Sequence, residues 1–514
     1  MAFCSASRAL NYKALKGSQH LPGTQYSTAE LTVTLWQLLS RRKIITKPST
    51  LDAMATLIAV SNYTDTSILA HTPKGTENTS GVSLYWLDPT TGTLKPAGAL
   101  EVGPNPAFLL QHPDDPTTLY ASTERIDEDG EVLSLRLSRD GDDIKLNVVD
   151  RASARGKSTC YLALDASKKW LRLTNYWEAS VAVLPVSGAA LGEKAADHHA
   201  LPPQAALRDV EGKEVPQRCA EPSSYCATNK PSREEHWKYR QRWPHAHCVV
   251  TEPYAQQTHF VVDLGEDAVY HYGFDDAVGR LTCQGATRLE RGKGPRHVVF
   301  HPTRKAAFIV QELSSTVSAF VYDDAAPAGM LETTDSRACL KLTQCVSTLP
   351  DGYDNAHHCV NGIWKAKSHS SEIRLDAAGN WLFVGNRGHD SLAVFAVTFD
   401  GERPQLRRAH VVETGGACPR NFAVLESHVV VGNQDTNELV VFRREVDGNL
   451  TEVSRRAHRS PNFLAPLVAP PTLDTQKTIG KCPSPRANRS LAGVFVEPPP
   501  APLPELRSPL RAVA

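Results

Sequence analysis

The chain carries no surplus of charge. Of its 514 residues, 56 are Lys or Arg and 56 are Asp or Glu, so the formal net charge is zero. That excludes a strong global attraction to nucleic acid or to an acidic membrane surface. No apolar run reaches the ~18 residues that a membrane span needs. Aromatics are only 7%, so the core has to be built from Val, Leu, Ile and Ala. The eleven cysteines form no C-x-x-C pair. Cys219 with Cys226 and Cys339 with Cys345 come closest, and neither pair stands at zinc-ribbon spacing. No G-x-G-x-x-G or Walker sequence is present, which leaves nucleotide binding without support. The G-x-S-x-G nucleophile elbow of serine esterases is also missing. The N-terminus lacks an apolar signal-peptide core. The thiols are therefore expected to be reduced and the protein cytoplasmic.

What is present is a globular composition, 41% hydrophobic and 22% charged, flanked by two foreign ends. Residues 1–49 hold seven Lys or Arg and one acid, Glu30. Residues 1–53 read as a disordered leader, or as sequence upstream of a start at Met54. The acid-poor composition also fits mitochondrial targeting as a second reading. From Pro470 to Ala514 the chain is Pro-rich and is expected to be a disordered tail.

Between the ends lies an internal repeat. Gly294 to Pro302, then Ala307 to Glu312, then Ser318 to Phe320, aligns with two further segments. One runs Ser370 to Asp376, Leu382 to Arg387 and Ala393 to Phe395. The other runs Cys418 to Val424, Val429 to Gln434 and Val440 to Phe442. Each reads as strand, turn, strand, loop, strand, because β-branched runs of four to six residues are bounded by Gly, Asn and Asp. Fainter copies begin near Ala107, Cys160 and His247. The intervals between equivalent positions Ala107, Cys160, His247, Arg296, Ser371 and Arg420 are 53, 87, 49, 75 and 49. A period near 50 is that of a four-stranded propeller blade. The two long intervals imply insertions of roughly 37 and 25 residues over that period, expected at about 187–243 and 331–369.

Six copies are visible and a seventh can be assembled from the ends. Thr56 to Asn62 and Val82 to Leu87 supply strands, and Asn462 to Val468 would supply the innermost one, although Pro466 weakens it. The expectation is thus an all-β, seven-bladed β-propeller of four-stranded antiparallel blades over residues 54–469. Pairing of N- and C-terminal strands would close the ring and remove exposed sheet edges.

In such a blade the start of the first strand and the end of the second lie on one face, near the channel. The first set is Ala107, Cys160, His247, Arg296, Ser371 and Arg420. The second is Tyr63, Glu124, Tyr176, Leu264, Glu312, Arg387 and Gln434. From His247 onward these positions contribute one His, three Arg and one Glu. Arginine suits fork-like recognition of carboxylate or phosphate. Glu312 among arginines stays ionised and could serve as a general base, with His247 shuttling a proton. The bland reading is a polar hub that binds channel water.

At these residues the sequence resembles the seven-bladed lactonase family, which includes propeller-type 6-phosphogluconolactonases and carboxy-cis,cis-muconate cyclases. The resemblance rests on Pro244-His245-Ala246-His247, Gly294-Pro295-Arg296-His297, Gln311-Glu312-Leu313-Ser314-Ser315, Asn386-Arg387-Gly388-His389-Asp390-Ser391 and Pro419-Arg420-Asn421-Phe422. It implies catalytic roles for His247, Arg296, Glu312 and Arg387. His297, Arg420, Gln434 and His389 are added as substrate-binding candidates. It implies no cofactor and no metal. His357, His358, Cys359 and His369 match no compact zinc pattern.

The function expected is hydrolysis of a small anionic sugar lactone, 6-phosphogluconolactone foremost, by a carboxylic-ester hydrolase. A muconate-type cyclase is the alternative, because carboxylate and phosphate ask for the same guanidinium geometry. A non-catalytic scaffold whose insertions bind protein partners is the third reading. Neither nucleic acid nor membrane is an expected partner, and the sequence leaves the oligomeric state open.

Overall fold

The computed structural model describes residues 55–219, 240–360 and 363–472. The expected leader lies outside them, as does the tail beyond residue 472. Among the described residues the chain is all-β, apart from single helical turns such as Thr66–Ile68 and Gln204–Leu207.

Seven antiparallel sheets of four principal strands follow one another. The innermost strands of blades 2 to 7 are Pro106–Gln111, Thr159–Leu164, Ala246–Thr251, Pro295–Phe300, His369–Leu375 and Pro419–Val424. Blade 1 is built from both ends of the chain. Its inner strand Pro461–Leu467 pairs with Thr56–Asn62, followed by Val82–Leu87 and Leu94–Leu100. Each innermost strand touches those of the two neighbouring blades, so the ring is closed. Pro466 is exposed and opposite Ile58. An innermost strand is paired on one side only, so a residue without an N–H is tolerated there.

Burial follows position in the blade. The second strands lie between neighbouring sheets and are buried along their whole length, as in Ala306–Gln311 and Thr118–Thr123. That is why they read as unbroken apolar runs. The outermost strands face solvent and alternate, as in Asp143–Ser153. Between blades 5 and 6, Phe308, Val310 and Ala319 pack against Ile373, Leu382, Val384 and Phe395. Each fully buried Val, Leu, Ile or Phe side chain here stabilises by roughly 1.5–3 kcal/mol.

Both expected insertions contain propeller strands. Asp197–Ala200 is the fourth strand of blade 3, and Leu340–Ser347 that of blade 5. Gly329–Glu332 joins blade 4 as a parallel fifth strand. What remains includes the residues just before Ala246 and a small hairpin, His358–Val360 with Ile363–Lys365. Residues 220–239 lie outside the described residues.

Candidate active site

A β-bulge near the start of each innermost strand positions the site. Cys160, His247, Arg296 and Arg420 are the single residues skipped by the ladder to the second strand. Ala107, Ser371 and Asn462 fall in the corresponding irregularities of the other three blades. A bulged residue leaves the ladder and its side chain is re-aimed, here toward the channel mouth. The residue closing the second strand is tied to the same place. Its N–H donates to the carbonyl two positions before the bulge: Glu124 to Asn105 at 2.9 Å, Tyr176 to Ser158 at 2.9 Å, and Glu312 to Gly294 at 2.7 Å. Asn105, Ser158, Gly294, Cys418 and Ser460 hold left-handed backbone there. Gly294 is required twice over, because a Cβ would also meet the Leu313 side chain at 2.5 Å.

These residues surround a cavity of about 480 Å³. His247, Arg296, Glu312 and Arg387 all line it, with Arg420. At its centre Glu312 is almost wholly buried. Its Oε1 accepts Arg240 Nη2 at 2.8 Å, and its Oε2 forms ion pairs with Arg296 Nε at 3.2 Å and Arg387 Nη2 at 3.0 Å. Arg240 also donates to the Tyr176 hydroxyl at 3.0 Å. Arg296 is anchored from behind by the Ser371 carbonyl at 2.8 Å, and Arg387 by the Ser370 carbonyl at 2.9 Å.

Burial pushes the Glu312 carboxyl up, but Arg387, Arg240 and Arg296 outweigh it and hold it well below the usual carboxylate range. Burial and the charge of Arg387 lower the Arg296 guanidinium to about 10, which leaves it charged at neutral pH. Burial, then Arg296, hold His247 well below the ordinary imidazole value. His247 is therefore neutral, with its ring edge-on to Tyr176 and to His297.

A second carboxylate stands across the channel. Glu124 Oε2 accepts the Tyr63 hydroxyl at 2.6 Å and lies 3.5 Å from Arg420 Nη2. Its Oε1 accepts Ser158 Oγ at 3.3 Å.

His297, His389 and Gln434 do not line this cavity. His297 is buried beneath it, 3.2 Å from Glu372, facing a smaller void of about 30 Å³. His389 bonds Ser391 Oγ at 2.8 Å and packs its ring edge-on against Tyr353. Gln434 is buried beside Cys418. Sequence reasoning missed Arg240, Trp243 and His71, which line the cavity from outside the repeat and so have no equivalent in other blades. Glu124 and Tyr176 stood in the second ring but were given no role.

Cys160, Cys248, Cys283, Cys339, Cys345 and Cys418 are free thiols. Among the described residues, no group of three or more His, Cys, Asp or Glu is arranged to hold a metal ion. No described helix is long and apolar enough to cross a membrane.

Seven closed four-stranded blades define a β-propeller. Residues 58–464 match the family model "Lactonase, 7-bladed beta-propeller", and the chain belongs to that family. Among curated relatives, 6-phosphogluconolactonase of Bacillus subtilis is 29% identical over 377 residues, covering 72% of this chain and 89% of that protein. An uncharacterized protein of Lactococcus lactis is 34% identical over 194 residues, covering 37% of this chain and 49% of its own length. Among solved structures, a Lactobacillus plantarum protein aligns at 25% identity with a TM-score of 0.61, covering 81% of this chain and all of its own. The periplasmic gluconolactonase of Pseudomonas aeruginosa aligns at 24% identity with a TM-score of 0.62, over 81% of this chain and all of its own. That last likeness concerns the fold.

Proposed function

We propose that the protein hydrolyses a phosphorylated sugar lactone, 6-phosphogluconolactone being the first candidate. The observation that carries this is the charge of the cavity. Arg240, Arg296, Arg387 and Arg420 line it against two carboxylates, Glu312 and Glu124. The arginines leave two positive charges over and the exposed Lys365 adds a third, and uncompensated charge shielded from water is costly. A phosphate monoester, close to a dianion at neutral pH, supplies the missing charge and fits guanidinium forks. The Bacillus subtilis relative supports the same substrate class by its name.

The free site holds Glu312 too acidic to be a good base, since a base works best when its pKa lies near the working pH. An arriving anion shares Arg240 and Arg387, loosens their grip on Glu312 and raises its proton affinity. Glu312 then takes a proton from water as that water attacks the lactone carbonyl. Arg296 stabilises the charge that grows on the carbonyl oxygen. The ring C–O bond breaks, and the departing oxygen takes the proton from Glu312 by way of His247. Neutral imidazole serves as such a relay by accepting at one nitrogen and donating from the other.

The test is turnover of 6-phosphogluconolactone and of unphosphorylated gluconolactone by the purified protein. The reading expects the phosphorylated lactone to be preferred by at least ~10-fold in kcat/KM, the value of one good charged contact.

A further inference from the structure

We propose that Glu124, with His71 and Arg420, forms a second recognition pole that binds the hydroxyl groups of a polyhydroxylated substrate. The proposal rests on reading the cavity as a lactonase site and assigns what the arginine pole leaves open, the chemistry of the rest of the ligand.

Glu124 follows the second strand of blade 2 and Glu312 that of blade 5. Three blades apart is the widest separation that a ring of seven allows, so the two carboxylates face each other across the channel mouth. Both line the same cavity, yet they are held differently. Glu312 meets three guanidinium groups within 3.2 Å. Glu124 meets one, Arg420, at 3.5 Å, and the Nε of Arg420 is already committed to Asn462 at 2.7 Å. The Glu312 side is thus doubly positive and the Glu124 side close to neutral. An anionic group is drawn to the first pole.

The second pole offers the groups that read ligand hydroxyls. Burial pushes the Glu124 carboxyl up, but Arg420 and its other partners outweigh it and keep it below the ordinary range. It is therefore ionised and accepts hydrogen bonds only. Its Oε2 is taken up by Tyr63 and Arg420, while its Oε1 accepts only Ser158 Oγ and can take the O–H group of a ligand hydroxyl. His71 lies beside it, partly exposed, with Nδ1 3.9 Å from Glu124 Oε1. Burial, then Arg420, lower this imidazole to about 3, so it is neutral and can exchange a hydrogen bond with a ligand hydroxyl. A ligand bearing a further carboxylate in this place would instead meet the charge of Glu124. The pole therefore favours a polyol lactone over a polycarboxylate lactone, a distinction that arginines alone do not make.

Titration calorimetry with glucose 6-phosphate and inorganic phosphate tests this on the full chain. Wild type is expected to bind glucose 6-phosphate at least ~10-fold more tightly than phosphate. Glu124→Ala should bring the two within ~3-fold while phosphate binds as before or better, because Arg420 loses its counter-charge. Tyr63→Phe, which keeps the ring packing and frees one Glu124 lone pair for a ligand hydroxyl, should raise the preference with phosphate unchanged. Equal weakening of both ligands in a Glu124→Ala protein that keeps the wild-type melting curve overturns the proposal. So does a preference that survives Glu124→Ala, or a wild type with no preference. Should Glu124→Ala not fold, Tyr63→Phe decides, because a preference that stays at the wild-type value or falls overturns the proposal. Loss of the lactonase reading itself would show separately, as absence of lactone turnover.

Discussion

Arg240 Nη2 lies 2.8 Å from Glu312 Oε1 and joins the end of an insertion to the end of a blade strand. The other two guanidinium groups on this carboxylate come from blades 5 and 6, which fix them by bulge and strand. Arg240 comes from a segment outside the ladders and also reaches the Tyr176 hydroxyl of blade 3. The insertion thus supplies a third of the positive charge around Glu312.

Replacing Arg240 by Ala should raise KM for a phosphorylated lactone by ~10–100-fold, about 1.4–2.8 kcal/mol, toward the low end of what a buried charged pair costs because Arg240 is itself partly exposed. The same change removes a cation that depresses Glu312. The folded carboxyl then rises toward its ordinary value, and the acidic limb of the kcat/KM profile should move to higher pH. Steady-state kinetics from pH 4 to 9 reads both effects.

Gly294 holds a left-handed backbone, and its carbonyl receives the Glu312 N–H. Gly294→Ala combines a disfavoured φ with a clash against Leu313. It should cost about 1–3 kcal/mol of stability and lower kcat by displacing Glu312. Urea unfolding and turnover on the same preparation test the pair of effects.

The ring geometry, the convergence of His247, Arg296, Glu312 and Arg387 on one cavity and the closing strand were legible because the blade pattern recurs. Seven copies of one pattern overdetermine a β-blade, and even Pro466 fits once the strand is an inner edge. Arg240 was not legible, because an insertion has no register to align. The outer strands Asp197–Ala200 and Leu340–Ser347 were hidden inside the apparent insertions because outermost strands are half exposed and lose the apolar run. Gln434 was placed in the ring by position alone, yet its side chain is spent on local packing. His389 follows Arg387 by two residues and turns away to Ser391 and Tyr353.

Acid should unfold the propeller earlier than carboxylates alone would. Burial lowers His245, His259 and His271 to about 3 each. The unfolded chain binds protons at these residues near pH 6.5, the folded chain only near pH 3, so stability falls as pH drops across that interval. Glu372 acts in the same direction, being held at about 2 against burial by Arg374 and His297. Its stabilisation is full above the ordinary carboxylate value and is lost as pH falls toward 2. Each proton adds a slope of about 1.4 kcal/mol per pH unit. Urea midpoints at pH 7.5, 6 and 5 should decline progressively, and a flat profile would contradict the buried neutral state of these imidazoles.

Deleting the chain from Pro461 onward removes the inner strand of blade 1 and bares the edge of Thr56–Asn62. An unpaired edge templates association. The truncated protein should aggregate or unfold, as read by size-exclusion chromatography and circular dichroism.

The central claim is that Glu312, freed by an anionic substrate from its arginines, activates water for lactone hydrolysis. Its most direct test is 6-phosphogluconolactone turnover by wild type and Glu312→Gln, with folding checked by melting curves. The account predicts turnover by wild type and a loss of at least ~100-fold in kcat for the variant. Near-wild-type activity in folded Glu312→Gln, or no lactone turnover by wild type, would contradict it.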